Sequence, residues 1–542
     1  MTQRTFSLLL ASAFCFTLLN ALKPLTIDDA AYYQYALHMK EHPLDPYGFE
    51  AFWGQTPAPA HTILAPPVLP YWWSLILHVS DTPFIWKLWL LPFAVLLTFS
   101  LYALLRRFAG DRELPLTLLL LFSPAFLPGF NLMLDVPALA LELFALTLFF
   151  SAAEKKSLRC AVLSGLLLGI AIQTKYIAFL GIPVVLLHAA LFRRWRHAIV
   201  VASLALMLFL GWEMFIAWTY GASHFLSQLS RVDGGLLEKV RFLWPLLLMS
   251  GGVLSPFILL HLALLRLRRS LLLSAASLLL LGYLLIAILE IGVVLGIGIY
   301  HGLLSVLLSF SAPHLIFGIF GATLLVLTVR SFFRRQQSFS QKDFFLFCWL
   351  LLEVAGYFFM NPFPAVRRIM GISVVLLIIL GRFLTQEFSK EHASFSLRPI
   401  LLFTIFLGIL FYGIDFQDAN AAKKAVGQAT TLIEEHSNET IWYTGHWGFQ
   451  FYAERAGMRA VIPGKSLLKE GDWLVTPDAR YEQQRISLSL PELMREAEIP
   501  IGDRIPLRTV MAYYSGDVPL EHHDGPRITV TVSRVRGDVI PQ

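Results

Sequence analysis

Long apolar runs alternate with short polar interruptions from Phe6 to Tyr412. Each run is close to the ~20 residues that an α-helix needs to cross ~30 Å of hydrocarbon. The first, FSLLLASAFCFTLLNAL, follows Arg4. It resembles the apolar core of a signal peptide, but a convincing small-x-small cleavage site is missing, so it reads as a retained first helix. Basic clusters punctuate the later runs: Arg106, Arg107 and Arg112; Lys155, Lys156 and Arg159; RRWRH from Arg193; RLRR from Arg266; RSFFRR from Arg330; and Arg382 with Lys390 and Arg398. With Arg4 and all of these clusters on the cytoplasmic side, the pattern implies roughly thirteen spans. The expected fold class is an α-helical polytopic membrane protein over residues 1–414, with a first outer loop at about residues 23–83 that is rich in Pro, Tyr and Trp.

After Asp415 the pattern changes. Charges become frequent, and ETIWYTG, DWLVTP and RITVTVSRV group β-formers as strands do. DANAAKKAVGQATTLIEEH reads as a helix. Residues 415–542 are therefore expected to form a small extracytoplasmic α/β domain. The aromatic-rich TGHWGFQFYAERAG fits a packed strand–turn–helix and also fits a sugar contact. Asn438-Glu439-Thr440 is a glycosylation sequon only in a eukaryotic host.

Composition agrees with a membrane protein. The chain has 542 residues, of which 56% are hydrophobic and 15% charged, against about 25% charged in soluble domains. Mean hydropathy is +0.64. The net charge of +6 resides largely in the clusters between runs, so no nucleic-acid partner is expected. Cys15, Cys160 and Cys348 lie in or beside predicted spans and offer neither a disulfide framework nor zinc spacing. No GxxxxGK[ST] phosphate loop occurs, so any work must draw on an activated substrate or a gradient.

The informative charges are those that the topology leaves unexplained. Asp28, Asp29, Asp135, Lys87, Lys175, Arg367 and Arg368 all fall at the outer ends of predicted spans. Ionisable groups at membrane depth are costly and mark sites or pathways, and outer basic residues run against the positive-inside bias. Simpler roles exist for several of them. Thr26-x-x-Asp29 is a capping-box pattern, Asp135 precedes Pro137 and fits a helix cap, Lys175 fits a snorkelling residue, and the arginine pair fits a contact to lipid headgroups. On a helix, Asp28 lines up with Tyr32 and Tyr35, a stripe suited to a cavity wall, with Tyr33 beside it. HMKEH, His38 to His42, matches an inverted zinc-protease string, but Pro43 stops the helix and no third ligand is evident. A non-hydrolytic metal site using these histidines or His61 stays open.

A carboxylate facing cations at the outer membrane level suits sugar transfer from a polyprenyl phosphate. The carboxylate takes the proton of the acceptor while Arg and Lys stabilise the departing phosphate. At these residues the chain resembles the GT-C glycosyltransferases of the protein-mannosyltransferase and aminoarabinose-transferase type, glycosyltransferase family 39. The residues carrying this are DDAAYYQYA, which fits Asp-[Asp/Glu]-x-x-Tyr after a first span, the acid Asp135 before the fourth span, and TKY around Lys175. The late family motif is Arg-Tyr before a Pro-rich span. Here it reads AVRRIMG, with Arg in place of Tyr and without the following prolines. The resemblance implies catalytic roles at Asp28, Asp29 and Asp135. It implies substrate contacts at Tyr32, Tyr33, Lys87, Lys175, Arg367 and Arg368, with Arg367 the better match for the phosphate contact. It further implies an inverting transferase with an undecaprenyl- or dolichyl-phosphate donor and a lipid, glycan or protein acceptor. Membrane lipids would surround it in a bacterial plasma (inner) membrane, with no required cofactor and a divalent metal possible. The alternative from another class is a transporter or flippase of a lipid-linked saccharide. Inverted repeats and helices broken near the bilayer midplane would mark it, and no repeat is visible in the sequence.

Overall fold

The computed structural model describes residues 1–63, 66–230, 239–265, 269–294, 312–335, 339–388, 396–434, 439–478, 484, 486, 493–502, 505–509, 513–523 and 525–542. Arg266, Arg268, Lys390 and Asn438, singled out above, lie outside the described residues.

Among the described residues, eight helices are long and apolar enough to cross a membrane, or nine if one bent pair counts as a span. Three more apolar helices, Val68–Leu77, Leu158–Ile172 and Tyr176–Phe192, have only 10–17 residues, and a further apolar helix runs Arg269–Val294. Against the expected thirteen spans, the described residues hold eight or nine that pass on length and apolarity. Where the sequence implied a third span, the helix Glu113–Leu121 has nine residues. Pro124 and Pro128 then hold the chain in turns down to the 3₁₀ segment Leu127–Gly129. Elsewhere a span breaks by 82° between Leu243–Val253 and Pro256–Leu264. The Tyr283 hydroxyl satisfies the carbonyl of Gly252 at that bend.

Lipid and apolar side chains attract each other about equally, so membrane helices associate by close packing. Two helices are central by this measure. Asp135–Lys155 is 72% buried and Val366–Phe388 is 78% buried over their apolar windows. Their first turns carry Asp135, Arg367 and Arg368. Trp195–Tyr220, only 33% buried, exposes Met207, Leu210, Met214 and Trp218. Reciprocal glycines bring Leu243–Val253 against Ala312–Arg334. A Cβ on Gly251 would lie 1.9 Å from the Phe317 carbonyl oxygen, and one on Gly321 would lie 2.0 Å from that of Leu247.

The two ends of the bundle differ. At one end Arg107 pairs with Glu154. Arg382 pairs with Asp343 at 2.5 Å and donates to the Phe108 carbonyl at 3.2 Å. Arg335 pairs there with Glu387 at 2.7 Å. Several of the basic clusters therefore meet at one level. At the other end the chain between the first two long spans forms the helix Asp29–Glu41, the short hairpin Glu50–Ala51/Ala58–Pro59 and the helix Val68–Leu77.

The C-terminal part rests on that same end. The last long helix, Arg398–Glu434, runs unbroken through Asp415, so residue 415 lies inside a helix. Its second half buries Ala421, Ala422, Ala425, Val426, Ala429 and Ile433 beneath a five-stranded mixed sheet. From edge to edge the strands are Arg459–Ala460, Ile441–Tyr443, Trp473–Pro477, Ile528–Val535 and Leu493–Ile501. The first three are parallel and the last two pairings antiparallel, with Val475 opposite Val532 and a bulge between Arg495 and Ala497. The helix Trp447–Arg455 follows Ile441–Tyr443. The strands expected from IWY, WLVTP and ITVTVSRV are present.

A buried ionic chain fastens this part to the bundle. Lys23 Nζ lies 2.5 Å from Asp415 Oδ2, with both side chains at most 1% exposed. The Thr509 hydroxyl donates to Asp415 at 3.0 Å, and the Thr509 N–H donates to Asp418 at 2.9 Å. Arg527 pairs with Asp418. Breaking a buried pair strands the surviving charge in low dielectric. Asp415→Ala is therefore expected to destabilise by about 3–5 kcal/mol, and a lowered unfolding midpoint in detergent against wild type checks this.

Candidate active site

Asp28 and Asp29 are neighbours with different surroundings. Asp29 opens its helix, and its Oδ2 accepts the N–H of Thr26, in the turn before the helix, at 3.0 Å. The same oxygen lies 3.6 Å from Lys87 Nζ. Burial pushes the Asp29 carboxyl above its ordinary range, and Lys87 opposes the shift. Lys87 also donates to the carbonyls of Lys23 and Pro24, at 2.8 and 3.1 Å. Asp29 and Lys87 thus form a buried brace behind the loop, and neither is on the cavity wall. Tyr33 is away from the cavity too, stacked on Trp86 at 4.9 Å and edge-on to Phe451 at 5.3 Å.

Asp28 is the N-cap residue, yet its side chain makes no capping hydrogen bond. Its carboxylate lines a cavity of about 440 Å³. Tyr32, Lys175, Arg367 and Arg368 share this cavity. Tyr35 continues the Asp28–Tyr32 stripe but packs elsewhere, with its hydroxyl on the Ala60 carbonyl at 2.6 Å.

The charges around the cavity are tightly linked. Arg367 Nη1 lies 3.3 Å from Asp28 Oδ2 and 3.5 Å from Asp135 Oδ2, and Nη2 donates to the Tyr514 carbonyl at 3.0 Å. Lys175 pairs with Asp135. Asp135 sits in the first turn of its helix, where the dipole favours an anion. Burial and the guanidinium of Arg368 lower Lys175 to about 7. Arg368 stacks on Phe363, 5.2 Å from the ring centre, and has no ion-pair partner among the described residues. Three cations thus meet two carboxylates, which leaves the cavity electropositive and suited to an anion.

The structure therefore brings together Asp28, Tyr32, Asp135, Lys175, Arg367 and Arg368 and sets apart Asp29, Tyr33 and Lys87. It adds residues that span counting did not identify, including Trp53, Tyr176, Phe363, Trp447 and Tyr514. Two of them carried a signal, Tyr176 in the TKY motif and Trp447 in the aromatic TGHWGFQFYAERAG segment. Tyr514 is reached through the C-terminal fold, where Asn131 donates to its hydroxyl.

The histidine string is not assembled as a metal centre. His38 Nε2 hydrogen-bonds the Asp45 carbonyl at 2.7 Å, and His61 stacks on Tyr220. Among the described residues no three His, Cys, Asp or Glu side chains gather as metal ligands.

A search of curated protein sequences gives no match. In solved structures, an oligosaccharyltransferase of Archaeoglobus fulgidus, crystallised with Zn and sulfate, aligns at 13% identity and TM-score 0.48, over 87% of this chain and 67% of that one. AglB from the same organism, in complex with an inhibitory peptide and a dolichol-phosphate, aligns at 12% identity and TM-score 0.45, over 88% and 69%. ArnT from Cupriavidus metallidurans, bound to undecaprenyl phosphate, aligns at 13% identity and TM-score 0.41, over 98% and 97%. Residues 65–218 match the family described as dolichyl-phosphate-mannose-protein mannosyltransferase. Over that stretch, which carries Lys87, Asp135 and Lys175, the chain is similar to this family.

Proposed function

We propose that the chain transfers a sugar from a polyprenyl-phosphate donor, undecaprenyl- or dolichyl-linked, to a lipid, glycan or protein acceptor, with inversion at the anomeric carbon. The observation that carries this reading is the cavity in which one uncapped carboxylate, Asp28, faces an excess of cations. The donor phosphate enters among Lys175, Arg367 and Arg368. The acceptor O–H or N–H loses its proton to Asp28 as its heteroatom bonds to the anomeric carbon. The bond from that carbon to the phosphate oxygen breaks, and the lipid phosphate leaves with the electron pair, stabilised by the three cations. Asp135, held by Lys175 and Arg367, positions those cations. The reaction needs no cofactor, because the donor carries its own leaving group. We further propose that the cavity faces the extracytoplasmic side of a bacterial plasma membrane, since several basic clusters gather at the opposite end.

The transporter reading finds its broken helix at the bend near Leu254. The charges gather instead in the cavity at the end that carries the C-terminal domain. Release of free polyprenyl phosphate from a labelled donor separates the two, since relocation leaves the donor intact.

Asp28→Asn is expected to lower turnover by about 10²–10⁴-fold while donor binding persists. Wild-type release of polyprenyl phosphate by this variant would remove Asp28 from the chemistry. Arg368→Ala is expected to raise the KM for donor about tenfold or more and to leave the KM for acceptor unchanged, as loss of a charge-assisted phosphate contact does. Equal effects on both constants would assign Arg368 to structure.

The Lys175 amine, held at about 7, is cationic below that pH and neutral above it. Donor affinity should therefore fall as pH rises through 7 in lipid-binding assays. Lys175→Arg should flatten that profile, and an unchanged slope in the variant would trace it to another group. Turnover should survive chelator treatment, and loss rescued by added divalent ion would instead assign a metal to the phosphate.

A further inference from the structure

We infer that Trp53 and Trp447 form a platform for the sugar ring of the donor, assembled across the junction of the first loop and the C-terminal domain. This rests on the donor reading above and deepens it by naming the segments that meet the sugar.

Both indoles line the cavity that holds Asp28. One hydrogen bond places them together. Buried His446 donates from Nε2 to the Gly54 carbonyl at 2.7 Å, so the residue before Trp447 is tied to the residue after Trp53. The Trp53 ring lies 6.0 Å from the His446 imidazole.

The backbone on both sides of the junction is unusual. Trp447 has φ +63° and Ile27, next to Asp28, has φ +47°. Large and β-branched residues rarely enter this left-handed region. The surroundings enforce it at Trp447. Gly445 turns into it at φ +88°, and a Cβ on Gly448 would lie 2.6 Å from the Leu25 carbonyl oxygen and 3.1 Å from Thr26 Cα. The Trp447 turn is thus pressed onto the segment that carries Asp28. Strained residues persist only where their surroundings over-determine them, and they cluster at ligand sites. Here one comes from each side, and both line the same cavity.

The chemistry follows from where the phosphate sits. Once it occupies the cations, a sugar with its anomeric carbon near Asp28 extends toward a part of the wall without charge. Beside Asp28 the indoles supply such a wall. A pyranose offers a face of C–H bonds, and an indole offers an electron-rich face with an apolar body, so the two stack.

The test compares binding of the full-length protein, in detergent or nanodiscs, to undecaprenyl phosphate and to undecaprenyl-phosphate-linked glucose, mannose and 4-amino-arabinose. Wild type should bind at least one sugar-bearing lipid about tenfold more tightly than the bare lipid. Trp447→Leu and Trp53→Leu, which keep bulk and lose the aromatic face, should erase that increment and hold bare-lipid affinity within about twofold. Trp447→Phe should retain most of the increment. An equal loss on bare and sugar-bearing lipids would make the indoles packing residues and overturn the platform, as would an increment that survives both leucine variants. Failure of the bare lipid to bind wild type would overturn the donor reading and this inference with it, a result distinct from loss of the increment alone.

Discussion

A single guanidinium joins the parts of this molecule that make the cavity. Arg367 reaches Asp28 in the first loop, Asp135 at the start of a central helix and the Tyr514 carbonyl in the C-terminal domain. Its side chain is only 10% exposed, so its charge would cost several kcal/mol without such partners. Arginine suits the task because its planar fork of five donors can serve several acceptors at fixed angles, where an ammonium acts as a point charge. The rest of the cavity depends on this sharing. Asp28 and Asp135 are divided between Arg367 and Lys175, which leaves Arg368 without a carboxylate of its own among the described residues. An anionic ligand would supply the missing negative charge.

A second set of buried charges has the opposite character. Asp29, Lys87, Lys23, Asp415, Thr509, Asp418 and Arg527 follow one another from the first loop into the C-terminal domain, through ion pairs, hydrogen bonds and backbone carbonyls. These groups lie off the cavity wall. Adjacent residues of a helix differ by about 100° in direction, which is how Asp28 can face the cavity while Asp29 faces the brace. The brace fixes the loop, and the fixed loop lets Asp28 keep a carboxylate without a capping bond.

The sequence made the membrane class, the C-terminal change of pattern and the unusual charges legible, because apolar length and misplaced charge are local signals. It did not show where an apolar run turns, as at Pro124 and Pro128, because such a run reveals length alone. It could not separate Asp28 from Asp29, or Lys175 from Lys87, because each choice depends on which face a distant segment covers. Lys87 looks like a phosphate ligand until the carbonyls of Lys23 and Pro24 are seen to hold its ammonium. Tyr514 was invisible for the same reason, since its place is set by Asn131, about 380 residues earlier.

The C-terminal domain is a wall of the site. Tyr513 donates to the Pro124 carbonyl, Asn131 donates to Tyr514, and His446 donates to Gly54. Each contact joins that domain to a turn at the same end of the bundle. The turn at Pro124 exists because proline stops the helix there and leaves a carbonyl that intrahelical bonding no longer claims. Irregular backbone at that end thus supplies two acceptors, the Pro124 and Gly54 carbonyls, and positions one donor, the Asn131 amide, on which the domain docks. Docking in turn brings Trp447 and the Tyr514 carbonyl to the cavity. A helix bundle alone would leave Arg367 with its two carboxylates and an open mouth above them. The domain closes that mouth and takes up a third donor of the fork, so the shape of the site and its charge balance are set by the same contacts.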